Sequence, residues 1–235
     1  MSRLRTSLAV PMRPQPDDRS CGPTCLQAVY AYYGDHVDVH QLIEEIPQLE
    51  TGGTLAVQLG CHALARGHAA TIYTFNLQLF DPTWFRDPRP DMVERLMAQA
   101  KHKVHDGKLV HATSQYLRYL ALGGRIEYEV LNGSLIHRFL SAGRPVLTGL
   151  SSTFLYGASR EFGDQDTPDD VQGLPAGHFV VLCGDDRQAR TVVVADPWPS
   201  KDGPRHLLAF DRLACSILLG VLTYDANLLV VHPPD

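Results

Sequence analysis

Five cysteines are spread along the 235 residues, and Cys21 is the one whose surroundings suit a nucleophile. The stretch Arg13-Pro-Gln-Pro-Asp-Asp-Arg-Ser20 reads as an extended loop, because Pro16 disfavours helix at Gln15. Cys21-Gly-Pro-Thr-Cys-Leu-Gln-Ala-Val-Tyr-Ala-Tyr-Tyr33 then reads as a helix, with Pro23 tolerated in its first turn and Gly34 at its end. A thiol at that junction sits beside unpaired N–H groups and the positive end of the helix dipole, which favour a thiolate. Gly22 leaves space beside it and is a candidate substrate contact. Cys25, one turn further on, borders the apolar run Leu26 to Val29 and reads as a core residue. Its Cys-x3-Cys spacing is neither a redox dithiol nor, without a second pair, a zinc half-site.

A thiolate nucleophile needs a base, and the base needs an acceptor that orients it. Among eleven histidines, His178 is best placed: it follows the flexible Gly173-Leu-Pro-Ala-Gly177 and opens the buried-strand pattern Phe-Val-Val-Leu-Cys183. Gly177 lets a cleft approach that strand entrance. The next strand, Thr191-Val-Val-Val-Ala195, is separated by a short connection and runs into Asp196-Pro-Trp-Pro199. An antiparallel hairpin would carry Asp196 back to His178, where its carboxylate fixes the imidazole tautomer. Asp185 and Asp186 lie at the far end of the first strand and are weaker orienters. Gln15, six residues before Cys21, can offer a side-chain amide to the oxyanion of a tetrahedral intermediate, with the Cys21 backbone N–H as second donor. Trp198 is placed either to shield the His178–Asp196 bond from water and border substrate, or simply to pack.

In this order, Gln15-x5-Cys21-Gly22-x2-Cys25-Leu26, Gly177-His178-Phe-Val-Val-Leu182 and Ala195-Asp196-Pro197 resemble the papain-like cysteine peptidases that remove double-glycine leaders from bacteriocin precursors. The resemblance covers both ends of the chain and leaves the middle without a counterpart. It implies a papain-like α+β fold, a Cys21–His178–Asp196 triad with Gln15 in the oxyanion hole, and cleavage of a peptide or amide bond through a thioester, with no metal or organic cofactor. Acyl transfer or transpeptidation by the same residues is the alternative, followed by a non-catalytic peptide-binding module. The transporter-linked relatives carry a membrane span and an ATPase. No Gly-x4-Gly-Lys-Ser/Thr loop is present here, so a stand-alone domain is expected.

The elements that must position these residues follow from periodicity and punctuation. Helices are expected at about Val39 to Ile46, Thr54 to Arg66, Asp91 to Lys101, Val110 to Leu122, Ser134 to Ala142 and Asp211 to Leu219. Strands are expected at His68 to Phe75, Arg125 to Val130, Pro145 to Leu150, His178 to Cys183, Thr191 to Ala195, His206 to Phe210 and Leu228 to Val231. Helices first and strands later argue α+β: a helical N-terminal part on a mostly antiparallel sheet from the C-terminal half. One domain over 1–235 is expected, enlarged by a helical insertion at about 76–123. On the first helix, Leu26, Ala28, Val29, Tyr32 and Tyr33 form the face suited to burial.

Composition narrows the partners. A formal charge of −5 with no polybasic run argues against nucleic acid. The apolar runs are too short for a bilayer and the odd, irregular cysteines fit a reducing compartment, so a cytoplasmic protein without membrane contact is expected. Four of the five thiols are read as packing residues. His36-x3-His40, His102-x2-His105 and His111 lack the spacing of a zinc site and read as solvated helix faces. The acidic stretch Glu161 to Asp170, with Asp164, Asp166, Asp169 and Asp170, reads as a mobile flap beside His178 that would favour cationic substrates by charge alone.

Overall fold

The computed structural model describes residues 5–49, 52–163, 165–201 and 203–234. Asp164 of the acidic stretch lies outside them. In chain order the elements are β1 (Arg5–Ser7), α1 (Cys21–Tyr32), α2 (Val39–Glu45), α3 (Ala56–Ala65), β2 (Ala69–Thr74), α4 (Met92–His102), α5 (Gly107–Ala121), β3 (Arg125–Glu127), α6 (Gly133–Ser141), β4 (Val146–Ser151) and α7 (Ser152–Tyr156). There follow β5 (Glu161–Phe162), β6 (Thr167–Pro168), β7 (Gly177–Asp186), β8 (Thr191–Ala195), β9 (Arg205–Ala209), α8 (Phe210–Leu219) and β10 (Asn227–His232). Every helix and strand expected from periodicity is present, with ends moved by a few residues. The short pieces β1, α7 and the hairpin β5–β6 lacked the length to show a period.

The main sheet runs β3-β2-β10-β4-β7-β8-β9, with β1 added to the far end of β7. All pairs are antiparallel except β2 with β3. The architecture is therefore α+β, but the sheet is not confined to the C-terminal half, since β1 and β2 come from the helical part. Period-two alternation explains why helices cover both faces. Phe179, Val181 and Cys183 of β7 and Leu229 and Val231 of β10 join the core formed with α1, α3 and α5. Their neighbours Val180, Leu182, Leu228 and Val230 join a second core with α6 and α8. A strand buried on both faces reads as a continuous apolar run, which is how Phe179 to Cys183 reads.

Helix α1 is central, with Leu26, Ala28 and Val29 buried as expected. Tyr30 is the correction: it is fully buried, whereas Tyr32 and Tyr33 are only half-buried. Its hydroxyl reaches His62 Nδ1 at 2.9 Å, which removes the cost of hiding a phenol in the core. The 76–123 stretch forms a short 3-10 turn, α4 and α5, with α5 packed on α3. Among the described residues no helix is long and apolar enough to cross a membrane.

Helix α3 starts beside the loop that walls Gly22, and its first turn is held from a distance. Asp225 Oδ1, in the turn before β10, accepts the Ala56 N–H at 2.8 Å. Gly149 makes room, since a Cβ there would stand 2.6 Å from the Asp225 Cβ. Burial pushes the Asp225 carboxyl up to about 7, and the Ala56 N–H and Asn227 amide offset this only in part. An acid whose folded pKa is raised holds its proton longer in the native state, so the stability it contributes is lost as pH rises from about 4 to about 7. In urea unfolding, Asp225→Asn is expected to keep the cap while removing this decline, so that the variant gains on the wild type across that window.

Candidate active site

Cys21 is the first residue of α1, and helix geometry leaves the N–H groups of Cys21 and Gly22 without intrahelical acceptors. The loop before it is tied down rather than loose. The Gln15 N–H donates to the Pro197 carbonyl at 2.9 Å, which fastens the segment leading to Cys21 onto the turn that follows Asp196. Ser20 Oγ donates to the Asp17 carbonyl, and Thr24 Oγ1 donates back to the Ser20 carbonyl at 2.8 Å. The Gln15 side chain is buried, with Nε2 donating to the Asp17 carbonyl at 2.7 Å and Oε1 without a partner among the described residues. A primary amide has two N–H groups, so one remains for another acceptor.

His178 and Asp196 meet through the β7–β8 hairpin. Val181 pairs with Ala195, so the next residue, Asp196, turns toward the start of β7. His178 Nε2 and Asp196 Oδ1 are 2.8 Å apart, with the residues 7% and 2% exposed. The Cys21 side chain lies close enough to the imidazole to act on its protonation. Burial alone would push His178 down, but the bond to Asp196, with Cys21 adding to it, outweighs this and raises the imidazole to about 10. Burial likewise works against the Asp196 carboxylate, yet its pKa is lowered by His178, the Tyr156 hydroxyl and the Trp198 N–H. The Trp198 N–H donates to Oδ1 at 2.8 Å and the Tyr156 O–H donates to Oδ2.

Trp198 stands edge-on to His178, ring centroids 6.2 Å apart at 85°, and is half exposed. Tyr156 is a second aromatic neighbour, with its ring centroid 6.4 Å from that of His178. The competing carboxylates are occupied elsewhere: Asp185 pairs with His137 at 2.8 Å and Asp186 with Arg5. Cys25 is buried and its thiol donates to the Phe179 carbonyl at 3.3 Å. Burial, then the neighbouring Cys21 and Asp196, push Cys25 well up and keep it a thiol. Cys61 and Cys183 are buried too, but Cys215 is exposed on α8, so packing accounts for three of the remaining thiols and not four.

The space beside Gly22 is filled rather than open. A Cβ there would lie 2.3 Å from Thr54 Oγ1 and 3.4 Å from Leu59 and Phe179, so close packing explains the glycine. Gly177 is exposed and backed by Thr223. Hairpin β5–β6 carries part of the acidic stretch, and Glu161 is pushed up by burial and by Asp166 and Asp18, the last of these on the loop leading to Cys21. No three His, Cys, Asp or Glu side chains among the described residues converge as metal ligands.

The sequence profile of the peptidase C39-like family matches residues 7–210, a span that holds Gln15, Cys21, His178 and Asp196. The chain belongs to the peptidase C39-like family. A search of curated proteins returns no significant match. Among solved structures, a protein described as a C39-like peptidase from Bacillus anthracis is 16% identical over 98% of this chain and 98% of its own, with a TM-score of 0.53. That likeness supports the papain-like α+β architecture. A double-glycine-motif protease from an AMS/PCAT transporter, solved with its leader peptide, is 14% identical over 100% of this chain and 97% of its own, TM-score 0.47. Xylellain, a cysteine protease from Xylella fastidiosa, is 13% identical over 98% and 86%, TM-score 0.47.

In this C39-like chain the residue that the sequence reading missed is Tyr156. Its helix has five residues, too few for a periodic signal, although Ser151 before it and Gly157 after it are the punctuation of a short helix. Ser151 Oγ accepts the Phe154 N–H, and Gly157 takes φ 65° to end the turn. One consequence concerns Gly22: Gly22→Ala is expected to lose about 1–3 kcal/mol of stability in urea titrations, because the new methyl meets a packed hydroxyl. Adding Thr54→Ala removes that hydroxyl, so the double variant should recover much of the loss, a non-additivity that distant sites would not show.

Proposed function

We propose that the protein is a cysteine peptidase that cleaves a peptide or amide bond through a thioester. The buried His178–Asp196 pair, with Cys21 at the start of α1 acting on the same imidazole, is the observation that carries this reading. In this reading His178 holds a proton at neutral pH and Cys21 attacks as the thiolate. The sulfur adds to the substrate carbonyl carbon, and the resulting oxyanion is received by the remaining Gln15 amide N–H and the Cys21 backbone N–H. As the carbon–nitrogen bond breaks, the His178 proton passes to the leaving amine and the acyl group stays on sulfur. Water then gives a proton to His178 and its oxygen to the acyl carbon, which releases the acid and returns the thiolate–imidazolium pair. Asp196 keeps the ring oriented and its positive charge compensated throughout. Family membership supports a peptide as substrate.

Iodoacetamide with mass-spectrometric mapping tests the nucleophile, and exposed Cys215 serves as an internal reference for an ordinary accessible thiol. Cys21 is expected to be alkylated faster than Cys215 at neutral pH, and His178→Ala is expected to abolish that advantage. Equal labelling of both sites in the wild type would sink the proposal. With a peptide substrate, Cys21→Ala should be inactive, and Gln15→Ala should lower kcat about 100-fold with a smaller effect on KM. An acylated Cys21 that partitions to an added amine in preference to water would make the protein a transferase instead.

A further inference from the structure

We infer that Tyr156 is a positioning residue for the site, acting on His178 through the second oxygen of Asp196. The inference rests on the cysteine-peptidase reading and adds a fifth side chain to Cys21, His178, Asp196 and Gln15. Asp196 Oδ1 already accepts from His178 Nε2 and the Trp198 N–H, both at 2.8 Å. Without a further donor, Oδ2 would be a charged oxygen in a residue that is 2% exposed, and an unpaired buried charge is costly. The Tyr156 O–H supplies that donor. With both oxygens held, the carboxylate cannot rotate about its Cβ–Cγ bond without breaking a hydrogen bond, and its plane fixes the direction from which it receives the imidazole.

The tyrosine suits this role because it stays protonated. Burial and the Asp196 charge push its pKa up, so the O–H remains a donor through the range in which His178 titrates. The titratable groups beside His178 are Cys21 from α1, Tyr156 from α7 and Asp196 just after β8, and the Trp198 ring stands edge-on to it. Of these, Tyr156 meets His178 only edge-on as a ring, at 6.4 Å. Its influence therefore passes through Asp196 rather than by direct hydrogen bonding. The ring is also half exposed, 47%, so removing its hydroxyl leaves no large core defect.

The test compares rates of Cys21 alkylation by iodoacetamide in wild type, Tyr156→Phe, Asp196→Asn and the double variant, each confirmed by circular dichroism to be folded at the assay temperature. Near pH 7, Tyr156→Phe is expected to slow alkylation roughly tenfold, as the loss of a hydrogen bond to a charged group implies. The deficit should shrink as pH rises and vanish above about 10, where His178 is neutral in either protein. In the Asp196→Asn background, adding Tyr156→Phe should change the rate less than twofold. A Tyr156→Phe profile that coincides with the wild type, a deficit that persists at all pH values, or an equal loss in both backgrounds overturns the inference. Failure of the underlying reading is distinct, because it shows in wild type and His178→Ala alone, as Cys21 alkylation that does not depend on His178, and it overturns both.

Discussion

An ionised carboxylate taken out of water loses several kcal/mol of hydration unless nearby donors replace it. Asp196 is almost wholly buried and finds those donors in three separate segments: His178 at the start of β7, Trp198 two residues on, and Tyr156 at the end of α7. Each is fixed by something the fold requires anyway. β7 is the spine of the sheet, paired with β4 and β1 on one side and β8 on the other. Loss of hairpin register by one residue would move Asp196 away from His178 and reverse the faces of every β8 side chain. The register that buries Val192 and Val194 is thus the register that pairs the imidazole with its carboxylate.

The cysteine is delivered by different means. α1 is buried on most sides, which fixes its axis, and the Gln15–Pro197 backbone bond fastens its leading loop to the turn that follows Asp196. Glycine at 22 allows Thr54 and Leu59 to close on the helix start. The loop before α3 and the N-terminus of α1 thereby share one wall, and α3 is held in turn by the Asp225 carboxyl group. Helix position, loop position and sheet position are coupled around the site by short polar contacts, while the two apolar cores on either face of the sheet supply the burial.

Two thiols one turn apart show how environment assigns roles. Cys21 and Cys25 share a helix, but Cys25 lies wholly inside, with its thiol on the Phe179 carbonyl. Cys21, at the helix start, is the one that reaches His178. The sequence reading separated them by position along the helix alone, and the apolar neighbours of Cys25 were sufficient for that. It had no such means for Cys215, which lies in an amphipathic stretch where a thiol can face either way and here faces out.

What the sequence determined by itself was local or periodic: the helix starting at Cys21, the two-sided burial of Phe179 to Cys183, the hairpin that returns Asp196 to His178, and the α+β class. Those depend on spacing, β-branching and turn residues, which the chain carries in order. Tertiary structure decided what depends on contacts between distant segments. It brought β1 and β2 into the sheet, buried Tyr30 against His62, filled the space beside Gly22 with Thr54, and set the Tyr156 hydroxyl on the free oxygen of Asp196. None of these has a repeating pattern, because each joins a strand or a side chain to partners far along the chain, and only packing selects which partners those are.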